Sequence, residues 1–153
     1  MCLLVFYTLV ALVLQTVAPA QPPKASAGDQ KAYLQKAAME PGAVKSASGL
    51  VYKELKPGTG RSPSATDRVK VHYRGTLIDG REFDSSYRRN KPATFPLNGV
   101  IACWTEGVQK MKVGGTSRLV CPSSIAYGDR GSPPVIPGGA TLIFEIELLA
   151  IGG

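Results

Sequence analysis

Asp84 is the one acidic candidate within a set of large apolar residues in the second half of the chain. The set consists of Tyr73, Phe83, Phe95, Val100, Ile101, Trp104, Tyr127, Ile136 and Phe144. Such residues could form a binding surface with one polar group. They could equally be ordinary core, because aromatic side chains normally anchor the interior of a domain. Taken singly, the positions leave both roles open.

The sequence argues against chemistry that needs a nucleophile, a metal or a nucleotide. His72 is the only histidine, and it falls on the polar side of a predicted strand, where we expect it to face solvent. A Ser-His-Asp or Cys-His arrangement would have to use it, and there is no G-x-S-x-G motif. The cysteines form no C-x-x-C pair for zinc, and no glycine-rich phosphate loop is present. We therefore expect no metal and no cofactor.

Alternating apolar residues predict the strands that would position this set. At residues 69–74 apolar and polar residues alternate, which is the period of a half-buried strand. Asp79 and Gly80 then indicate a tight turn. The same alternation at residues 141–149 predicts a last strand with Leu142, Phe144, Ile146 and Leu148 on one face.

Two helices are predicted. Trp104, Val108 and Met111 fall on one face of a helix at residues 100–113, which Gly114 and Gly115 would end. A second helix at residues 29–40 would have Asp29 as its N-cap and Leu34, Ala37 and Ala38 on its apolar side. The order of elements predicts the α+β class: an antiparallel sheet wrapped on one short helix, preceded by a short N-terminal helix.

The first residues have the features of an export signal. Residues 1–20 carry no charge, residues 2–14 are apolar, and Ala18-Pro19-Ala20 is a small-residue cleavage sequence. We expect a signal peptide at residues 1–20 and a periplasmic or secreted protein. A membrane anchor is less favoured, because a spanning helix needs about 20 apolar residues. Residues 21–48 would be a linker with the short helix, and residues 49–153 the folded domain.

The net charge of +7 does not predict a nucleic-acid partner. Basic residues are scattered along the chain, and residues 88–91 form the only cluster, which is typical of a solvated loop.

Three segments carry a family resemblance. The sequences VHYRGTLIDGREFDSS (residues 71–86), FPLNGVIACWTEGVQKMKVGG (95–115) and IAYGDRGSPPVIPGGATLIFEIELL (125–149) closely resemble the FK506-binding-protein (FKBP) family of prolyl isomerases. The short N-terminal helix and the sequence SASGLVY (residues 46–52) are similar to the exported bacterial branch of that family. The resemblance covers about residues 45–153. It implies an antiparallel sheet of about five strands around one helix, with a hydrophobic pocket between them.

The resemblance also implies a role for each pocket residue. Trp104 would form the floor, Tyr73, Phe83, Phe95 and Phe144 the walls, and Val100 and Ile101 the rim, under a loop at residues 128–136 that includes Ile136. The Asp84 carboxylate, the Tyr127 phenol and the Ile101 amide would make the polar contacts, with Asp84, Tyr127, Phe83 and Phe144 acting in catalysis. Because neighbouring strand residues point to opposite faces, a bulge or strand end must let Phe83 and Asp84 both reach the pocket. Alternatively, Asp84 is a structural cap or an ion-pair partner of Arg88.

The activity so implied is rotation about X-Pro bonds. That rotation is slow, with a barrier of about 18–20 kcal/mol, because the planar amide is stabilised by resonance. An apolar pocket favours the less dipolar twisted amide. The expected partners are proline-containing polypeptides and FK506- or rapamycin-type macrolides, and the expected state is a monomer. A chaperone or binding module that uses the same pocket without regard to proline is the alternative function.

Cys103 and Cys121 remain if the leader, with Cys2, is removed. An exported protein permits disulfides, and the family fold would pack together the helix and strand that carry the two cysteines. A Cys103–Cys121 bond and two buried free thiols both remain open.

Overall fold

The computed structural model describes residues 25–152, and it contains two α-helices and seven strands. The elements are α1 (Ala27–Ala38), β1 (Ala43–Lys45), β2 (Val51–Lys56), β3 (Arg68–Leu77), β4 (Glu82–Ser85), β5 (Ala93–Pro96), α2 (Ala102–Val108), β6 (Thr116–Cys121) and β7 (Leu142–Ile151). The predicted α+β class, including the short N-terminal helix, is confirmed. The predicted leader at residues 1–20 and the first part of the predicted linker lie outside the described residues.

The strands form one antiparallel sheet in the order β1-β2-β6-β7-β3-β4, and β5 pairs with the first half of β3. β3 pairs with β7 along nearly its whole length, from Val69 opposite Ile151 to Leu77 opposite Leu142, with one register shift after Lys70. The alternation predicted for these two strands is present. The side chains that it placed on one face are buried: Val69, Val71, Tyr73, Leu142, Phe144, Ile146 and Leu148. Burial of this apolar face is the main favourable term for folding.

α2 packs against the buried face of the sheet, but it is shorter than predicted. The apolar spacing predicted a helix at residues 100–113, whereas the helix ends at Val108. The next bonds, from Lys110 N–H to Gly107 O and from Met111 N–H to Val108 O, span three residues and form a tighter turn. This turn buries Met111 without continuing the helix. The apolar spacing that predicted a longer helix is therefore explained by a turn after a shorter one.

The N-cap of α1 lies three residues earlier than predicted. Its N-cap is Ser26, whose Oγ accepts the Asp29 N–H at 3.1 Å, while the Ser26 N–H donates to the Asp29 carboxylate at 2.9 Å. The prediction of Asp29 as N-cap is therefore wrong, because Asp29 is the third residue of the helix in a capping box. N-cap side chains contribute about 1 kcal/mol to helix stability.

α1 covers the face of the sheet opposite α2. Ala37 is buried there with Val51, Val120 and Ile143 in a second apolar cluster. Beyond the C-terminal end of α1, Glu40 forms ion pairs with Lys53 at 3.0 Å and Arg118 at 3.3 Å. The connection from α1 contains β1, an edge strand of three residues that alternation does not reveal. Within residues 25–152, neither helix has the length and apolar character that crossing a bilayer requires.

Candidate functional site

A cavity of about 490 Å³ lies among the buried face of the sheet, the start of α2 and the segment before β7. It is lined by Tyr73, Phe83, Asp84, Phe95, Gly99, Val100, Ile101, Trp104, Tyr127 and Phe144. The structure thus brings together all of the residues predicted for a pocket except Ile136, and it adds Gly99. The residues come from four strands, from α2 with the segment before it, and from the segment after β6.

Trp104 is the centre of the aromatic packing in this cavity. Its ring meets those of Tyr73, Phe95 and Phe144 nearly at right angles, with centroids 5.2, 5.6 and 5.3 Å away. Phe83 contacts Phe144 in the same way at 5.6 Å. Edge-to-face pairs of this kind contribute about 0.5–1.5 kcal/mol beyond area burial. The interlocked rings therefore make a preformed apolar surface.

A bulge between β3 and β4 lets Phe83 and Asp84 both line the cavity. Gly75 pairs with Asp84, the next residue of β3 pairs with Glu82, and Phe83 is the extra residue between them. Gly75 allows the ring of Phe83 to lie against the strand, because a Cβ at Gly75 would be 2.5 Å from Phe83 Cζ and 3.0 Å from Phe144 Cε1. The predicted need for a bulge or strand end at Phe83 and Asp84 is thus met by a bulge, which lets two adjacent residues of a strand face the same side.

Asp84 is tied to three neighbours. Its carboxylate accepts a short hydrogen bond from the Tyr73 hydroxyl, one from Arg89 Nη1 at 2.6 Å and one from the Ser85 N–H at 2.9 Å. The ion-pair partner is Arg89 and not Arg88, which pairs with Glu82. The carboxylate is therefore held at the edge of an otherwise apolar cavity.

These contacts set the charge of the site. Partial burial raises the pKa of Asp84, but the hydrogen bonds from Tyr73 and Arg89 and the Arg89 charge outweigh it, so its pKa lies below the ordinary value. Burial and the adjacent carboxylate raise the pKa of Tyr73. The hydrogen bond to Asp84 raises the pKa of Arg89 further. Asp84 is thus an anion, Arg89 a cation and Tyr73 a neutral donor at neutral pH.

Two further groups in the cavity are available to a ligand. Among residues 25–152, neither the Ile101 N–H nor the Tyr127 hydroxyl has a hydrogen-bond partner, and the Tyr127 side chain is exposed. The buried Trp104 Nε1 likewise has no acceptor in the described part of the chain. The cavity thus offers an apolar interior with a few polar groups, which is the usual composition of a small-ligand or peptide site.

Ile136 does not line the cavity, although a substrate-binding role was expected for it. Its N–H and C=O both bond to Ser132, at 2.9 Å each, so the residue closes a small turn within the loop before β7. Its side chain is buried in the main core. The reason is that the loop folds on itself at this point and directs Ile136 inward.

The structure joins Cys103 of α2 to Cys121 of β6 in a disulfide, with Cα atoms 5.9 Å apart. Both residues are fully buried, and neither lines the cavity. The bond links the helix that carries Trp104 to the sheet.

Sequence reasoning did not identify Arg89 or Gly75 as parts of the site. Arg89 stands in a cluster that was interpreted as a solvated loop, and its partner depends on the path of residues 86–91, where Asn90 has a φ of 51°. The signal for Gly75 was a glycine inside a strand pattern, which often marks close approach by another group.

Comparison with known proteins identifies the family. The model of the family described as FKBP-type peptidyl-prolyl cis-trans isomerase matches residues 59–149. The chain belongs to this FKBP family. Its predicted membership is thereby confirmed.

The FKBP relatives include bacterial proteins of known structure. "FKBP-type peptidyl-prolyl cis-trans isomerase FkpA" of Aeromonas hydrophila is 55% identical over 119 residues, which are 78% of this chain and 44% of that protein. The crystal structure of FkpA from Escherichia coli has a TM-score of 0.78 at 47% identity, over 82% of this chain and 61% of that one.

A peptidyl-prolyl cis-trans isomerase from Pseudomonas syringae also has a TM-score of 0.78, at 38% identity over 88% of this chain and 99% of that chain. The present FKBP chain spans about half the length of the curated FkpA relatives it matches.

Proposed function

We propose that this protein is a peptidyl-prolyl cis-trans isomerase that accelerates rotation about X-Pro bonds in exported polypeptides. The observation that carries the proposal is the aromatic cavity around Trp104 with the single carboxylate of Asp84 at its edge. Membership of the FKBP family and the printed names of the relatives support it.

The cavity supplies what this reaction needs. The planar X-Pro amide is strongly dipolar, and its resonance creates the barrier of about 18–20 kcal/mol. In the twisted transition state the nitrogen lone pair is localised and the charge separation falls. Transfer of the bond from water to an apolar surface therefore destabilises the planar form more than the twisted one. Catalysis requires this differential effect and no covalent step.

We assign two sets of residues to the reaction. Phe83, Phe95, Trp104 and Phe144 surround the prolyl ring and exclude water, with Tyr73 and Val100 completing the walls. Asp84, the Tyr127 hydroxyl and the Ile101 N–H orient the rotating carbonyl and the adjacent backbone. Each neutral hydrogen bond contributes about 1 kcal/mol, and each tenfold in rate needs about 1.4 kcal/mol. Desolvation with two such bonds is thus sufficient for a large acceleration.

We further propose that the protein is exported and acts as a monomer. We propose that residues 1–20 are removed as a signal peptide, that residues 49–153 form the isomerase domain, and that the protein acts in the periplasm or outside the cell. We expect proline-containing polypeptides as substrates and FK506- or rapamycin-type macrolides as inhibitors that occupy the same cavity. Mass spectrometry of the exported protein should find Gln21 as the first residue.

The test is a prolyl isomerisation assay on the chain that begins at Gln21. We expect faster cis-trans exchange of a short Xaa-Pro peptide and loss of the acceleration on addition of FK506. Suppression of aggregation of a proline-free client, without peptide turnover, would contradict the proposal and favour a binding module that uses the same cavity.

A further inference from the structure

Gln30 joins α1 to the segment that borders the cavity. Its Oε1 accepts the backbone N–H of Thr141 at 2.8 Å, across 111 residues of sequence. Thr141 is buried directly before β7, and among residues 25–152 its N–H has no other acceptor. Within residues 25–152, no other hydrogen bond connects α1 with residues 126–152. The hydrogen-bonded link between α1 and this segment therefore depends on one side chain, beside the apolar packing of Ala37 with Ile143.

The segment that Gln30 contacts carries cavity residues at both ends. The Gly139 N–H donates to Gly128 O at 2.9 Å and closes the base of a loop at residues 128–139. Tyr127 stands directly before this loop, and Phe144 follows three residues after Thr141. A shift of Thr141 would therefore be passed along the chain to Phe144, and through the Gly139–Gly128 hydrogen bond to the chain beside Tyr127.

Contacts at both ends and in the middle of α1 hold the helix in place. The Ser26–Asp29 capping box secures its start, the ion pairs of Glu40 secure the chain after its end, and Ala37 packs into the second apolar cluster. Between α1 and the loop lies a separate cavity of about 170 Å³, lined by Gln30 and Thr141 together with Pro134 and Val135 of the loop. Because this cavity separates α1 from the loop, the two are not closely packed there. The Gln30–Thr141 hydrogen bond is the directional contact between them.

We propose that Gln30 is a positioning residue that keeps the loop at residues 128–139 in the arrangement the pocket needs. The inference rests on the proposed function. Without the Gln30 acceptor the Thr141 N–H has no partner within the described residues, which favours arrangements of the loop base that expose this N–H to water. Molecules with an open base bind substrate less well, so the apparent affinity falls in proportion to the closed fraction. The effect belongs to KM and not to kcat.

Three variants test this role. Gln30→Ala removes the acceptor, Gln30→Glu retains it, and Gln35→Ala is the matched control on the same helix, because Gln35 is exposed and makes no side-chain hydrogen bond among residues 25–152. Two readouts are measured in each: the hydrogen-exchange rate of the Gly139 amide by NMR, and KM and kcat for an Xaa-Pro peptide. Emission of Trp104, the only tryptophan, reports peptide binding without turnover.

We expect Gln30→Ala to accelerate exchange at Gly139 by about fivefold, the equilibrium ratio of one neutral hydrogen bond. KM should rise with kcat unchanged, and by less than the change in exchange, because KM follows the closed fraction. Gln30→Glu and Gln35→Ala should match the wild type. Equal exchange and equal KM in Gln30→Ala and Gln35→Ala would overturn the proposal, as would faster Gly139 exchange with no change in KM, or a Gln30→Glu variant that behaves like Gln30→Ala.

Failure of the proposed function gives a different result. A wild-type chain that does not accelerate prolyl rotation contradicts the isomerase assignment. The Gln30 inference is then decided by Gly139 exchange and by peptide binding followed through Trp104. If neither differs between Gln30→Ala and Gln35→Ala, it is wrong.

Discussion

Arg89 fixes the carboxylate of Asp84 at the edge of the cavity, with Nη1 2.6 Å from Asp84 Oδ1. The same guanidinium donates from Nη2 to the Tyr73 hydroxyl at 2.9 Å and lies 5.8 Å from the centre of the Tyr73 ring. Tyr73 in turn donates to Asp84. Each of the three groups contacts the other two, so Asp84 cannot rotate away from the cavity without breaking two contacts.

The ionisation of Asp84 predicts the pH dependence of activity. Its folded-state pKa is lowered by Tyr73 and Arg89, so the stabilisation from these contacts is present above the unfolded-state pKa of about 3.9. It is lost as the pH falls through the lower folded-state pKa. We expect kcat/KM to be constant from about pH 5 to 8 and to fall only in stronger acid, below about pH 4. A fall near pH 6 that disappears in Asp84→Asn would contradict the assignment of a lowered pKa.

Gly75→Ala should distort the wall of the pocket. The new methyl group would lie 2.5 Å from Phe83 Cζ, so the ring must move. We expect kcat/KM to fall and unfolding to become easier by about 1–3 kcal/mol, the usual cost of overpacking. The control is Gly28→Ala, since a Cβ there would meet only Ser26 Oγ, at 3.6 Å. Denaturant titration and the peptide assay check both variants. Unchanged activity of Gly75→Ala would show that the reaction does not depend on the exact position of the Phe83 ring.

Tyr127→Phe should reduce activity without affecting the fold. The Tyr127 side chain is 42% exposed and its hydroxyl has no partner within residues 25–152, so stability should not change. Loss of one neutral hydrogen bond to the substrate should cost about 1 kcal/mol, or about fivefold in kcat/KM. Tyr87→Phe, at a similarly exposed site outside the cavity, should retain full activity. Equal activity of the two variants would remove Tyr127 from the mechanism.

The disulfide should stabilise the protein without contributing to the reaction. Cys103 and Cys121 close a loop with a sequence separation of 18, for which the stabilisation is about 3 kcal/mol. Thiol titration of the denatured, unreduced chain that begins at Gln21 should find no free cysteine. Reduction should lower the free energy of unfolding but leave kcat/KM unchanged at temperatures where the domain stays folded. Two titratable thiols would show that the bond does not form.

The strands were predictable where one face of a strand is buried and the other is wet. β3 and β7 have this property, and their alternation is visible in the sequence. β1 could not be predicted, because its three residues are all at least partly exposed. The end of α2 was missed because Met111 is buried from a turn, and a pattern of buried residues does not distinguish a turn from a helix.

The site was predictable through its residue types but not through its contacts. The need for a bulge at Phe83 follows from strand geometry alone. The choice of Arg89 over Arg88 does not, because the two are adjacent and only the fold of residues 86–91 decides which one reaches Asp84. Ile136 has the right type for a pocket, but it is turned inward by its backbone bonds to Ser132.

The central claim is that the aromatic cavity around Trp104, with the Asp84 carboxylate at its edge, catalyses prolyl rotation. It is tested most directly by kcat/KM for an Xaa-Pro peptide in the wild type, in Asp84→Leu and in the control Glu54→Leu, which removes an exposed carboxylate on β2. We predict that Asp84→Leu stays folded but loses about tenfold or more, the value of a charge-assisted hydrogen bond, and binds FK506 more weakly. Glu54→Leu should equal the wild type. An Asp84→Leu variant that keeps full turnover and FK506 binding, or that unfolds, would contradict the claim and make Asp84 a structural residue.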